Sequence, residues 1–333
     1  MTTPLRNKKA VPLSTKKPCD KICFKLQKKR LSPNSSRRFR KEYMIHQGNA
    51  KITDRQLAEV KLLALDLDGT VLTDEKHITK RMERSIYDAL DTGLEVVLVT
   101  GRPLSGIPDE LLAISRIRYA ISSNGAVTTD MLTGKRLRGA YLDDQAAKEI
   151  ARIPMERNLI HSIFIGDIGY CEQCYFQDQW KLYMGTKHEP YIRKSRKGTD
   201  SIDALIDQSD VGVENIWFMT HSREERDELD RMVHSRWDVQ TVLTAITDVE
   251  IGSTKADKGL ALDDLSEKLG IARNEILAIG DNENDLGMFR AAGITVAMGN
   301  ATESIKQMAD IITDSNEEDG AAKMIEKILQ CRK

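Results

Sequence analysis

The sequence predicts an α/β protein: a doubly wound, Rossmann-like parallel sheet interrupted by an inserted α+β segment. Three observations lead there. Apolar runs of strand length at 62–65, 96–99 and 276–279 consist of Leu, Val, Ile and Ala, the composition of strands buried on both faces. Helical signals separate such runs, and strand–helix alternation implies right-handed crossovers in a parallel sheet. Between 138 and 246 the rhythm lapses into β-rich pieces mixed with helices.

The elements follow in order. A first strand at 61–66 delivers Asp66 to its carboxyl end. Thr79 caps a helix through Leu90 that Gly93 ends, Thr being a good N-cap and Gly a good stop. Glu95–Thr100 is the second strand, closed by Gly101, and a helix starts at Pro103, since proline fits the first helical position. Tyr119-Ala120-Ile121-Ser122 is the third strand. The insert offers helices at 143–157 and 223–234, and strands around 163–165, 216–218 and 239–243. A basic, poorly periodic stretch lies at 187–197. The first rhythm resumes near Asp248. Asp257 caps a helix through Leu269, then come a strand at 276–279, a helix at 282–290, strands at 294–297 and 311–312, and a helix at 321–329. The expected division is a basic, disordered extension over 1–58, a core over 59–137 and 247–333, and an inserted domain over 138–246.

A chain of 333 residues can bury a large core. Its net charge of -1 conceals an asymmetry. Residues 1–43 carry 14 Lys or Arg against Asp20 and Glu42, whereas 44–333 carry 36 basic and 49 acidic residues. The leader lacks an apolar period, so disorder is expected. Three readings of it stay open: a solvated tail with Met44 as the true start, an organellar transit peptide, or a basic arm for nucleic acid or an anionic surface. The first is preferred, and nucleic-acid binding is the lesser alternative. No run of about 18 apolar residues occurs, so no membrane span is expected. Five cysteines at irregular spacing give no disulfide framework. Cys171 and Cys174 form a C-x-x-C without a second pair, read as two plain thiols in a β-turn region. The expected compartment is the cytoplasm, or an organelle if the leader is a transit peptide.

Chemistry concentrates at strand ends. Asp66 and Asp68, in Leu65-Asp66-Leu67-Asp68-Gly69-Thr70, leave the first strand where parallel sheets bind ligands. Two carboxylates about 4 Å apart repel by roughly 4 kcal/mol at an effective dielectric near 20. A cation or a shared proton must relieve them, and an oxygen-only donor set suits Mg²⁺. Thr100-Gly101-Arg102 offers a hydroxyl and a glycine-freed backbone to phosphate oxygens. Lys258-Gly259 sets a cation at a helix start. In Gly280-Asp281-Asn282-Glu283-Asn284-Asp285, Asp281 and Asp285 are four apart and share a helix face. Alone, that acidic pair would read as a helix-dipole partner. Neither G-x-G-x-x-G after the first strand nor a G-x-x-x-x-G-K-[ST] occurs, which excludes dinucleotide and P-loop sites.

Six segments in this order, 65–72, 99–103, 123–126, 257–259, 280–285 and 296–301, with an insert between the third and fourth, resemble the haloacid dehalogenase superfamily. Within it the chain looks like the Cof-type branch, over roughly 60–330. The resemblance implies a phosphohydrolase with a mobile cap. Asp66 would be the nucleophile, forming an aspartyl-phosphate, and Asp68 the general acid and base. Mg²⁺ would be held by Asp66, the backbone carbonyl of Asp68 and Asp281, steadied by Asp285. Thr100 and Lys258 would stabilise charge on the transferring group, with Gly69, Thr70 and Gly101 completing the phosphate cradle. Asn124 would face phosphate or substrate, and Asn284 phosphate or the Asp285 network. Lys258 is preferred to the neighbouring Lys255. Arg102 is read either as a phosphate contact or, in preference, as a structural partner for a helix carboxylate. In the cap, His161, His188 and His221 read as surface or packing residues, and Tyr175, Phe176, Trp180 and Tyr183 as a packed helical stripe. The expected activity is Mg²⁺-dependent hydrolysis of a small phosphorylated metabolite, sugar phosphates foremost. A phosphotransferase or mutase, and a non-catalytic phospho-ligand sensor, are the alternatives.

Overall fold

The apolar run Leu62–Leu65 is completely buried and becomes β1, the centre of the larger sheet. The computed structural model describes residues 52–243 and 246–333. Residues 1–51 lie outside the described residues, and the rest of the extension expected to be disordered over 1–58 is folded: Asp54–Ala58 is a helix capped by Thr53 that buries Leu57 in the first core. β1 pairs in parallel with β2 (Glu95–Val99) on one side and β12 (Ile276–Gly280) on the other. β3 (Tyr119–Ser122) continues the parallel run beside β2, and β13 (Ile294–Ala297) and β14 (Ile311–Ile312) continue it beyond β12. An antiparallel hairpin, β4 (Val127–Asp130) and β5 (Lys135–Gly139), completes the order β14-β13-β12-β1-β2-β3-β4-β5.

Helices on the faces seal this sheet into one core that includes Leu63, Val97, Ile121, Leu277, Ile86, Leu265 and Ile325, each such side chain worth about 1.5–3 kcal/mol on burial. Thr79 Oγ1 accepts from the Met82 amide (3.0 Å) to start the helix Lys80–Asp91. Asp257 Oδ1 accepts from the Gly259 and Leu260 amides (2.8 and 3.0 Å) to start Lys258–Leu269.

The second sheet is built from chain inserted between β5 and β12. β6 (Ile160–Ile165), β7 (Ile168–Glu172), β8 (Arg196–Thr199), β9 (Val213–Met219), β10 (Val239–Val242) and β11 (Asp248–Ser253) lie in the order β10-β11-β9-β6-β7-β8. Every pairing is antiparallel except β7 with β8. Its core is separate: Ile163, Ile216, Phe218, Val249 and Ile251 pack with Ala147, Leu229 and Val233 from its helices. The architecture is therefore a Rossmann-like α/β core carrying an inserted α+β cap.

Several elements differ from expectation. The segment Asp248–Ser253 belongs to the second sheet, so the chain returns to the first sheet after Ser253 rather than near Asp248. The helix expected from Pro103 is a 3₁₀ turn, Leu104–Gly106, then a single turn, Asp109–Leu112, because Pro108 lacks an N–H and holds Ile107 extended. The helix expected over 282–290 opens as a 3₁₀ turn, Glu283–Asp285, before Leu286–Ala291. The basic stretch 187–197 contains a helix, Glu189–Ser195, leading into β8. Cys171 is buried on β7 and Cys174 exposed on the helix Gln173–Tyr183 rather than both in a turn, and both are free thiols. Burial pushes the Cys171 thiol up to about 12, which makes it inert at neutral pH.

Candidate active site

β1 and β12 are neighbours, so their carboxyl ends bring Asp66 and Gly280–Asp285 together. The cation comes from the helix Lys258–Leu269. Lys258 Nζ donates to Asp66 Oδ1 and Asp285 Oδ1, both at 2.7 Å. The Lys258 side chain is 1% exposed, and Lys255, on the preceding loop, is exposed. Asp285 is engaged on its other oxygen too: Oδ2 accepts from the Asp281 and Asn282 amides at 2.9 and 3.1 Å. That carboxylate fastens both the lysine and the loop that presents Asp281. Carboxylate oxygens of Asp66, Asp281 and Asp285 lie within 4.8 Å of one another.

Three carboxylates against one ammonium leave two negative charges uncompensated in a nearly dry site. Burial, then repulsion from Asp285, pushes the Asp281 carboxyl up to about 7. The same two causes raise Asp66 against the opposing pull of Lys258. Lys258 shows the mirror image: burial would lower it, but Asp285 and Asp66 outweigh burial and hold it firmly protonated. The site fits a hard divalent cation on two grounds, an all-oxygen donor set and a residual negative charge that only added positive charge can relieve.

Gly69 is where the backbone must come closest. Its φ of +82° lies in the left-handed region, and a Cβ there would collide with the Asp281 carboxylate. Thr70 Oγ1 donates to Asp281 Oδ1 (3.3 Å). Asn300 Nδ2 donates to the Gly69 carbonyl (2.8 Å) and pins the same loop from β13's side.

Asp68 points elsewhere. Its carboxylate takes a two-pronged pair from Arg102 (Nε 2.6 Å, Nη2 2.8 Å) and another from Lys76 Nζ (2.8 Å). Burial would raise its pKa, yet Arg102 and Lys76 together hold it well below the usual carboxylate range. Arg102 thus partners a loop carboxylate at the strand end, not a helix carboxylate. It also donates to the Gly106 carbonyl (3.0 Å) and stacks 4.9 Å from the Tyr191 ring of the cap.

The phosphate-cradle candidates form a second cluster. Thr100 is buried and its Oγ1 accepts from the Arg102 amide (3.1 Å), shaping the turn at Gly101. A Cβ on Gly101 would stand 3.0 Å from Asn124 Oδ1. Asn124, itself at φ +54°, accepts on Oδ1 from Asn284 Nδ2 (3.1 Å) and donates from Nδ2 to Glu250 Oε2 of β11 (2.5 Å). Every residue singled out in the core sequence therefore lies in one neighbourhood, with Asp68 and Arg102 on one flank and Asn124 and Asn284 on the other.

Lys76, Asn300 and Glu250 carry contacts here that the sequence reading missed. Two of them left a trace: Lys76 in a turn-like Asp74-Glu75-Lys76 after Leu72, and Asn300 inside the 296–301 segment. Of the histidines, His161 is buried, with Nδ1 2.8 Å from the Leu159 carbonyl, a packing role. Tyr175, Phe176 and Tyr183 do share the helix Gln173–Tyr183.

A family model described as haloacid dehalogenase-like hydrolase matches residues 63–325. The phosphatase YwpJ of Bacillus subtilis is 30% identical over 286 residues, spanning 81% of this chain and 100% of that one. The 5-amino-6-(5-phospho-D-ribitylamino)uracil phosphatase YwtE of Bacillus subtilis is 31% identical over 293 residues, spanning 81% and 98%. A solved haloacid dehalogenase-like hydrolase from B. subtilis superposes with a TM-score of 0.70 at 29% identity, covering 80% of this chain and 99% of that one. These matches span nearly all of the described chain, both sheets included, and the protein belongs to the haloacid dehalogenase-like hydrolases, in their Cof-type branch, as an enzyme of the phosphatase class.

Proposed function

We propose that this protein is a Mg²⁺-dependent phosphatase that hydrolyses small phosphorylated metabolites, sugar and polyol phosphates foremost, through an aspartyl-phosphate. The observation that carries the reading is the buried Lys258 ammonium, 2.7 Å from both Asp66 and Asp285, beside the Asp281 carboxylate. A relative that is 31% identical is named for a phosphorylated ribityl compound, which supports the substrate class. Free thiols at Cys171, Cys174 and Cys331 suit the cytoplasm, and no described helix is long and apolar enough to cross a membrane.

In this reading Asp66 attacks phosphorus, the bond to the alcohol oxygen breaks, and Asp68 supplies the proton that the leaving oxygen takes up. Water then attacks the phosphorus of the aspartyl-phosphate, the bond from phosphorus to the Asp66 oxygen breaks to release inorganic phosphate and the free carboxylate, and Asp68 takes the proton of the attacking water. Asp68, ionised between Arg102 and Lys76, is in the form that the second half needs. A dianionic phosphate competes with it for both cations, which frees the carboxyl to carry a proton in the first half. Asp66, Asp281 and the Asp68 carbonyl would hold Mg²⁺, with Asp285 orienting them, and the ion supplies charge stabilisation to the transferring phosphoryl group. Lys258 neutralises the same group. The second sheet closes over the site to exclude water and read the alcohol, and the cap would span about residues 140–257.

The test is phosphate release from a panel of phosphate esters with and without Mg²⁺. Asp66→Asn should lose at least about a thousandfold in kcat, on the scale of losing a covalent nucleophile, with an unchanged melting profile. Turnover at the wild-type rate in that variant sinks the reading. Isomerised sugar phosphate without release marks a mutase, and binding without turnover across the panel marks a sensor.

A further inference from the structure

The turn Ser123–Gly125, where the chain leaves β3, has an uncommon backbone. Ser123, Asn124 and Gly125 stand in succession at φ +50°, +54° and +91°. Glycine adopts this left-handed region freely, and asparagine tolerates it better than serine does. A serine persists there because its surroundings over-determine it. Both side chains are buried, and each is tied to a glutamate of the cap sheet. Ser123 Oγ donates to Glu214 Oε2 of β9 (2.7 Å), and Asn124 Nδ2 donates to Glu250 Oε2 of β11 (2.5 Å). β9 and β11 are paired neighbours, so one sheet supplies both acceptors. Glu214 is itself fixed through Oε1, which accepts from Arg136 Nη1 and the Asp167 amide.

On its other side the turn touches each part of the phosphate cluster. The Ser123 amide donates to the Arg102 carbonyl (2.8 Å) and the Asn124 amide to the Thr100 carbonyl (3.1 Å), which fixes the loop that carries Thr100 and Gly101. Gly125 lies against the start of the helix Lys258–Leu269: a Cβ there would collide with the Asp257 carbonyl and the Lys258 amide nitrogen. Asn124 Oδ1 accepts from Asn284 Nδ2 (3.1 Å), in the loop between Asp281 and Asp285. The two glutamates thus reach Thr100, Lys258 and Asn284 through this turn.

Resting on the phosphatase reading, we propose that Glu214 and Glu250 are positioning residues for phosphoryl transfer: they hold the left-handed turn, and the turn sets Thr100, Lys258 and Asn284 about the phosphate, whatever alcohol the ester carries. A turn released from them relaxes toward ordinary backbone and carries those three groups with it. Small displacements of reacting groups cost rate steeply. The role is one of geometry at the phosphate, so it acts on kcat for every ester alike. It is separate from any contact between the cap and the alcohol.

The experiment measures kcat and KM at saturating Mg²⁺ for wild type, Glu250→Ala, Glu250→Gln, Ser123→Ala and Ser123→Gly. The esters are ribitol 5-phosphate and p-nitrophenyl phosphate, whose alcohols have little in common, and circular dichroism checks the fold of each variant. Glu250→Ala removes an acceptor and should lower kcat by about tenfold or more, by the same factor on both esters, with KM within about threefold of wild type. Glu250→Gln keeps an oxygen for Asn124 Nδ2 and should stay within about threefold of wild type. Ser123→Ala cuts the tie to Glu214 but keeps the Cβ that makes the turn costly, and should lose about tenfold in kcat. Ser123→Gly cuts the same tie and removes that Cβ, so the turn holds unaided and kcat should return to within about threefold of wild type. The Ser123 pair decides the matter even if Glu250→Ala fails to fold. Wild-type kcat in both alanine variants overturns the positioning role while leaving the phosphatase standing. So do Gln and Gly variants as slow as the alanine ones, and losses confined to one ester or to KM. No release by wild type from either ester overturns both.

Discussion

Glu250 of β11 ties the cap sheet to the core through Asn124 Nδ2 (2.5 Å) and carries a strongly perturbed carboxyl. Burial, reinforced by Asp248, pushes its carboxyl up to about 7, against about 4.3 for an unfolded glutamate. The folded state therefore holds this proton more tightly. The associated stability is complete below about pH 4.3 and is lost as pH rises through 7. Glu250→Gln removes the titration and keeps the shape. The margin of its unfolding free energy over wild type should grow by about 1–3 kcal/mol from pH 5 to pH 8, measured by urea denaturation at the two pH values. Equal differences at both pH values would show that Glu250 titrates normally. The sequence offered no hint of this residue, because its partner Asn124 is 126 positions away. Asn300 lies in the 296–301 segment that helped to carry the resemblance, but its contact stayed hidden, 231 positions from the carbonyl that it holds. Asp66 and Lys258 were legible from the strand end and helix start at which they sit, whereas Asp281 and Asp285, which alone would read as dipole partners, became legible only through the resemblance carried by the six ordered segments.

Local pattern works equally well for long elements and for short apolar strands such as Ile294–Ala297, and fails for short polar ones. The capped helices Lys80–Asp91 and Lys258–Leu269 start where Thr79 and Asp257 foretell. The 3₁₀ turns and the β4–β5 hairpin were missed, since three to five residues carry too little periodicity to separate from loop. Close packing between elements is also invisible in sequence. Gly259 opens the helix that carries Lys258, and a Cβ there would collide with the backbone carbonyl of Gly287 on the helix Leu286–Ala291. Helix propensity alone says that Gly259→Ala should gain about 1 kcal/mol. Overpacking against rigid backbone costs about 1–3 kcal/mol, and shifting this helix also moves the ammonium away from Asp66. Gly259→Ala should therefore lower stability and lower kcat together, read by urea denaturation and phosphate release. A stabilised, fully active variant would show that the two helices can separate freely.

At the scale of the molecule the two sheets keep separate large apolar cores, and they are joined by polar groups beside a small apolar patch of Ala126, Val127, Ala140 and Ala256. Glu214 of β9 is fully buried at the junction. It accepts from Ser123 Oγ (2.7 Å) and Arg136 Nη1 (3.1 Å) of the first sheet, and from the Asp167 amide (2.9 Å) of its own. Arg136 Nη2 reaches Asp167 Oδ2 as well (2.7 Å). Polar joints suit parts that must separate and meet again, because each partner is at home in water when they part, whereas an apolar seam would resist opening. The chain crosses between the sheets after Gly139 and after Ser253. The second crossing ends on Asp257, the cap of the helix whose first residue is Lys258, so any swing of the insert is felt next to the site. The joint must then be strong enough to define closure and weak enough to release. A double-mutant cycle with Glu214→Gln and Arg136→Met measures that strength as the coupling in unfolding free energy. Burial of Glu214 places the expected coupling at about 1.5 kcal/mol or more, above that of the exposed pair Arg81–Glu326, which solvent screens. Should the two couplings come out equal, the junction is held by shape alone and closure has no electrostatic latch.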